Sequence, residues 1–142
     1  MKSLDEMFYG CTQLTYITIK SHIKTVGVDA FQSCSGIYRI DIEDGVETIR
    51  NRAFEGCKVY YQFIPSTVTT LEGSAFHFDV SGERFYTPYN IVKYDDSTVP
   101  SGWSHYFSGH EIFEYTLINS GLDGGCSRSH FNELAEQHHF FD

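Results

Sequence analysis

Hydrophobic positions over the first 79 residues recur at a fixed long step. Phe8, Phe31, Phe54 and Phe76 follow one another at intervals of 23, 23 and 22 residues. Ala30, Ala53 and Ala75 immediately precede three of these phenylalanines, and Val26, Ile49 and Leu71 lie five positions upstream of the same three. Further columns align Leu14 with Ile37, Ile17 with Ile40, Ile19 with Ile42, and Ile23 with Val46 and Val68. A period of this size marks stacked supersecondary units. Within each unit, "LTYITI" (14–19) and "IYRIDI" (37–42) place β-branched residues at every second position, which predicts a short strand with one buried face. "VETI" (46–49) predicts a second short extended segment, and "AFQSC" and "AFEGC" predict a tight turn or single helical turn that carries one aromatic inward. One such unit cannot bury its own apolar face, whereas stacked neighbours share a continuous core. The predicted fold is a repeat solenoid, mainly β with short helical turns, of about four units over residues 1–79.

Cys11, Cys34 and Cys57 each trail a phenylalanine by three positions, so they share one column of the array. Side chains in one column lie one above another, and a small thiol beside a stack of phenylalanines reads as a buried hydrophobe. Zinc sites usually draw cysteines as close pairs of the C-x₂₋₄-C kind, and no such pair occurs here. Disulfides between neighbouring rungs satisfy the distance requirement, but three members leave one thiol over and parallel side chains suit the bond poorly.

These columns resemble the BspA-type leucine-rich repeats of bacterial and protozoan surface proteins, whose unit reads I-x₄-A-F-x-G-C-x-x-L-x-x-I-x-I-P-x-x-V. "VETIRNRAFEGC" and "FYGCTQLTYITIKSHI" follow that unit closely, and the direct match covers about residues 1–79. "RFYTPYNIVKYDDSTVPSGWSHYF" (84–107) is similar to the segment that closes many such arrays, with Gly102, Trp103, Ser104 and Tyr106 in the order of its G-W-S-x-Y motif. The resemblance implies a leucine-rich-repeat-like array at 1–79 and a C-terminal cap at 80–110. Residues 111–142 then supply a strand at 111–118, a turn-rich linker at 119–125 and a short tail helix. Three departures stand out. The first unit lacks an upstream strand and has Met7 in place of alanine, so the array starts without an N-terminal cap. The third, "CKVYYQFIPSTV", is one residue short and carries Tyr60, Tyr61 and Phe63 at aliphatic positions. The fourth has Phe78 and Asp79 in place of Gly-Cys.

Repeat arrays of this kind present one strand per unit on a curved sheet, and the side chains that face away from the core form an extended binding surface. With Leu14, Ile17 and Ile19 inward, the outward set is Tyr16, Thr18 and Lys20 in unit one and Arg39, Asp41 and Glu43 in unit two. In unit three it is Tyr61 with either Gln62 or Phe63. Tyrosine and arginine anchors suit a protein contact. Near the C-terminus, Phe131, Leu134, Ala135, His138 and Phe141 recur near helical spacing and predict a short amphipathic helix that docks on the solenoid or on a partner chain. His130 and His138 stand more than two helical turns apart, too far to share an ion, and the adjacent His138 and His139 point in different directions. His105 and His110 flank a Gly-Ser turn, and Asp95 and Asp96 sit in a polar turn where solvation accounts for them. No metal, no cofactor and no catalytic residue is expected: the G-x-S-x-G, G-x-x-x-x-G-K, G-x-G-x-x-G and H-E-x-x-H patterns are all missing.

Nineteen acidic against ten basic residues leave a formal charge of −9, which repels phosphate backbones and anionic lipid. Nucleic acid is therefore not an expected partner. No run approaches the roughly 18 apolar residues of a membrane span, and "MKSLDEMFYG" lacks the apolar core of a signal peptide. Two function classes follow. The first is a non-enzymatic, adhesion-type binding module that recognises a protein or glycan through its strand face, on a cell surface or outside the cell as the resemblance implies. The second is a small structural subunit of a larger assembly, such as a phage virion or tail component.

Overall fold

The computed structural model describes residues 3–4, 8–72, 74–80, 84–88 and 126–142. Its strands run in two series that alternate along the chain. The short series is β1 (Ser3–Leu4), β3 (Thr25–Val26), β5 (Thr48–Ile49) and β7 (Thr70–Leu71), which form one parallel sheet in that order. The longer series is β2 (Tyr16–Ile19), β4 (Arg39–Ile42), β6 (Tyr61–Phe63) and β8 (Arg84–Tyr86), paired in parallel as β2 with β4 and β6 with β8. Register follows the repeat: Ile17 faces Ile40, Ile19 faces Ile42, Val26 faces Ile49 and Ile49 faces Leu71. A parallel solenoid has this pattern, because each chain turn returns to the same place one rung along.

The first unit does have an upstream strand, contrary to expectation. Leu4 pairs with Val26, one step before the Val26, Ile49 and Leu71 column. Two residues of extended chain are too short to show a period-two alternation, so the pattern could not reveal them. Of the segment expected to close the array at 80–110, Arg84–Tyr86 continues the longer strand series. The G-W-S-x-Y motif, His105, His110, Asp95, Asp96, Met7 and the expected strand and linker at 111–125 lie outside the described residues.

Each corner is built from hydrogen-bonded turns, and two columns within it take left-handed backbone. The residue before alanine does so at Asp29 (φ 60°), Arg52 (φ 56°) and Ser74 (φ 64°). The residue before cysteine does so at Gly10 (φ 70°), Ser33 (φ 63°) and Gly56 (φ 89°). Between them the backbone forms a further inter-rung ladder, in which the Phe8, Phe31 and Phe54 amides donate to the Ala30, Ala53 and Ala75 carbonyls at 3.0, 2.7 and 2.9 Å. That ladder sets the phenylalanines one above another, with ring centroids 5.1, 5.4 and 5.6 Å apart and planes within 7°. The cysteine column lies beside them. The Cys34 thiol donates to the Phe8 carbonyl at 2.9 Å and the Cys57 thiol to that of Phe31 at 3.6 Å. All four cysteines are free, and burial pushes the Cys57 thiol up to about 12.

The residue missing from unit three falls between Cys57 and Val59. Val59 is buried in the place of Ile37, Tyr60 is exposed like Tyr38, and Ile64 is buried like Ile42. Gln62 therefore points inward at the level of Ile40, fully buried, and Phe63 points outward. The Gln62 Nε2 donates to the carbonyls of Ile40 (3.0 Å) and Phe63 (2.9 Å), while its Oε1 finds no partner among the described residues. At this level a side-chain amide bridges the gap between the β2–β4 and β6–β8 pairs.

Candidate binding surface

The outward face of the longer strands is shared between solvent and the chain's own C-terminal helix. This helix, α1 (Arg128–Gln137), starts at Ser127, whose hydroxyl accepts from the His130 amide at 3.1 Å. It ends in a Schellman-type reversal: the Phe140 amide donates to the Ala135 carbonyl at 3.0 Å and His139 takes the left-handed conformation at φ 54°. The reversal turns the two terminal phenylalanines back onto the sheet. Phe140 stacks on Tyr61 with centroids 3.8 Å apart, and Phe131 packs against Phe63 at 5.5 Å and Tyr86 at 5.3 Å. Phe63, Tyr86, Cys126 and Phe131 form a second core, with Tyr61, Leu134, Phe140 and Phe141 around it. Desolvation pushes the Cys126 thiol up to about 11.

Two guanidinium groups fasten this helix to the array. Arg128 donates from Nη2 to the Ile42 carbonyl at 2.6 Å and to Asp44 at 3.0 Å, and its Cζ lies 4.8 Å over the Phe63 ring. Arg39 is held between two rings, 4.4 Å from the Phe141 centroid and 4.8 Å from that of Tyr16, while its Nε donates to Asp41 at 3.1 Å. The Tyr16 hydroxyl also donates to Asp41, and this bond, with a smaller share from desolvation, raises the phenol's pKa above its ordinary value.

The candidate residues thus divide into two groups. Tyr16, Thr18 and Lys20 are outward on β2 and its edge, and Arg39, Asp41 and Glu43 are half-buried beside them. Lys20 pairs with Glu43 at 3.5 Å, and Glu43 also accepts the Ser21 amide at 2.9 Å, the main cause of its lowered pKa. Tyr61 and Phe63 face outward but lie beneath α1. Of the expected docking residues, Phe131 is 5% exposed, Leu134 and Phe141 are half-buried against the array, and His138 faces solvent as the C-cap. Periodicity does not single out Phe140, Arg128 or Tyr86. The pair of aromatics in "HHFFD" is the one signal that marks Phe140. Nothing local marks Arg128, whose partner Ile42 is 86 residues away.

Between the β4 face and α1 lies a cleft of about 560 Å³, with Arg39, Asp41, Glu43 and Asp44 on the sheet side and Arg128, Asn132, Glu136 and Asp142 on the helix side. Among the described residues no group of three or more His, Cys, Asp or Glu is placed to hold a metal ion, and no helix is long and apolar enough to cross a membrane.

Comparison with known proteins agrees with this geometry. The chain is similar over 28% identical residues, with a TM-score of 0.53, to the crystal structure of a leucine rich cell surface protein from Faecalibacterium prausnitzii A2-165. A leucine-rich repeat protein from Bacteroides ovatus ATCC 8483 matches at 28% identity and a TM-score of 0.50. These matches cover 58% and 60% of this chain but 22% and 24% of the other two, so the chain spans less than a quarter of either relative's length. No curated protein matches the sequence. The profile of the BspA type leucine-rich repeat region matches residues 4–101 in six copies, which is more than half of the chain. The chain therefore belongs to the BspA-type leucine-rich repeat family.

Proposed function

We propose that this chain is a protein-binding repeat module whose contact surface is the outward face of β2 and β4, flanked by α1. One observation carries the reading: the tail helix occupies the outward face at Tyr61, Phe63 and Tyr86, while Tyr16 remains 47% exposed on the rungs before it. The surface left available already holds its aromatic and arginine anchors in fixed positions, because Tyr16, Arg39 and Asp41 form one network. Preorganised anchors reduce the ordering cost of association. An adhesion role at a cell surface is supported by the family and by the F. prausnitzii protein, which is described as a cell surface protein. The alternative of a structural subunit docked through its tail is less favoured, since α1 is seated on its own array through an aromatic core. Repeat scaffolds of this type are built for recognition, and no catalytic role is proposed for any side chain.

The test is to select ligands from a random peptide display library on the intact chain and measure them against Tyr16→Ala and Thr18→Trp. Ligands of the proposed face are expected to lose about tenfold or more in affinity on either change. A panel of ligands indifferent to both substitutions would overturn the reading.

A further inference from the structure

We infer that the segment this surface receives is basic: an extended stretch of a partner protein that places a lysine or arginine in the cleft between β4 and α1. The inference rests on the contact-surface reading above and adds the chemistry of the partner. Five carboxylates line the cleft, Asp41, Glu43 and Asp44 from the sheet side and Glu136 and Asp142 from the helix side, against the guanidiniums of Arg39 and Arg128. Both guanidiniums are already engaged, Arg39 with Asp41 and two aromatic rings, Arg128 with Asp44 and the Ile42 carbonyl. Beyond the lining, Lys20 pairs with Glu43 at 3.5 Å and the His139 ring meets Asp142 at 2.5 Å. Glu136 is therefore the cleft carboxylate without an ion pair among the described residues. Five carboxylates against Arg39, Arg128 and Lys20 keep the formal sign of the wall negative.

A separate feature of α1 adds to the same field. A helix C-terminus carries a partial negative charge, and helices commonly place a cation in the last turn to offset it. The last turn of α1 has no basic residue, and its Glu136 lines the cleft. The partial charge of the helix end therefore adds to carboxylates that stand on both sides of the cleft. At about 560 Å³ the cleft suits one or two long side chains with a stem on the half-buried Phe141 and their heads among the carboxylates. The described carboxylates are not grouped to chelate a metal ion, which favours an organic cation. A net charge of −9 steers such a partner toward the molecule from a distance.

The experiment measures fluorescence anisotropy of three labelled peptides of equal length, alternating Lys-Ser, Gln-Ser and Glu-Ser, with the full chain at about 0.15 M salt. Glu136→Lys reverses the charge of the one lining carboxylate that has no ion pair among the described residues, and it suits the helix end, so the variant stays folded. Glu47→Lys changes the net charge equally at an exposed residue that does not line the cleft. The Lys-Ser peptide is expected to bind in preference to the other two, to weaken about tenfold or more on Glu136→Lys and to stay within about twofold on Glu47→Lys. Equal losses on both variants would leave only the general field of an acidic molecule and overturn the inference. So would display-selected ligands of neutral or acidic composition that fail on Tyr16→Ala yet ignore Glu136→Lys, an outcome in which the contact surface itself survives. Loss of the Lys-Ser peptide on Glu136→Lys without any effect of Tyr16→Ala or Thr18→Trp would support the cleft's charge preference and count against the wider strand face.

Discussion

Ser33 and Gly36 show how strictly one rung constrains the next. Ser33 occupies the left-handed column whose other members are Gly10 and Gly56. An L-residue there carries a steric cost of about 1–2 kcal/mol that glycine avoids. Gly36 has the opposite problem, since a Cβ at that position would sit 2.5 Å from the Thr12 carbonyl oxygen and 2.8 Å from that of Leu14. Ser33→Gly is therefore expected to stabilise by about 1 kcal/mol, and Gly36→Ala to destabilise by about 1–3 kcal/mol through overpacking against backbone. Urea unfolding of the two variants checks the pair, and the account fails if both shift the midpoint in the same direction. Gln62 is the other singular residue. Its inward placement follows from a one-residue deletion whose position the columns do not determine. Gln62 and Phe63 are equally compatible with the period, and the burial of Val59 in the place of Ile37 decides between them.

The ten residues of α1 are too few to hold a helix in water by themselves, so its order comes from docking. Phe131 buries its ring between Phe63 and Tyr86, and Phe140 stacks on Tyr61. Truncating such a ring costs about 3–5 kcal/mol of the local packing energy. Phe131→Ala is expected to raise amide exchange over 128–137 toward that of an open segment. Exchange of the amides in the Phe8–Phe31–Phe54 corner ladder should stay slow, because the two cores share no ring. Equal loss of protection in both regions, read by hydrogen-exchange mass spectrometry, would show that helix and array unfold as one unit. The helical spacing of Phe131 and Leu134 is legible in the sequence. The contribution of Phe140 is not, because it depends on the left-handed turn at His139, which sequence periodicity does not encode.

Across the whole molecule, inter-rung contacts recur along columns: the phenylalanine stack, the thiol-to-carbonyl bonds, and pairs such as Asp29 with Arg52 at 2.8 Å. Stability in such an array is a sum of unit and neighbour terms, so a change in one column is felt by the adjacent rungs. The cysteine column gives this a pH dependence. Burial raises Cys34 and holds Cys57 at about 12, above the ordinary 9.0 for a thiol. A folded-state pKa above the unfolded one means the fold favours the protonated thiol. The contribution is complete below pH 9.0 and is lost as the pH rises from there toward 12. Melting temperature is expected to fall over that window, and to fall less in Cys57→Ala than in the parent chain. An identical alkaline profile for both would sink the assignment.

Repetition let the sequence alone determine the solenoid. A hydrophobic column that recurs every 22 or 23 residues can be buried only by stacking, and the alternation in "YITI" and "RIDI" decides which side chains of those strands face outward. Tertiary structure decided what that outward face meets. Tyr61 and Phe63 read as open surface because their cover lies far along the chain, in a helix whose own pattern specifies an apolar stripe but no partner. The cleft exists only where these two parts meet, Asp41 and Glu43 on one wall and Glu136 on the other. Residues so distant in sequence are brought together by packing, which no local period records.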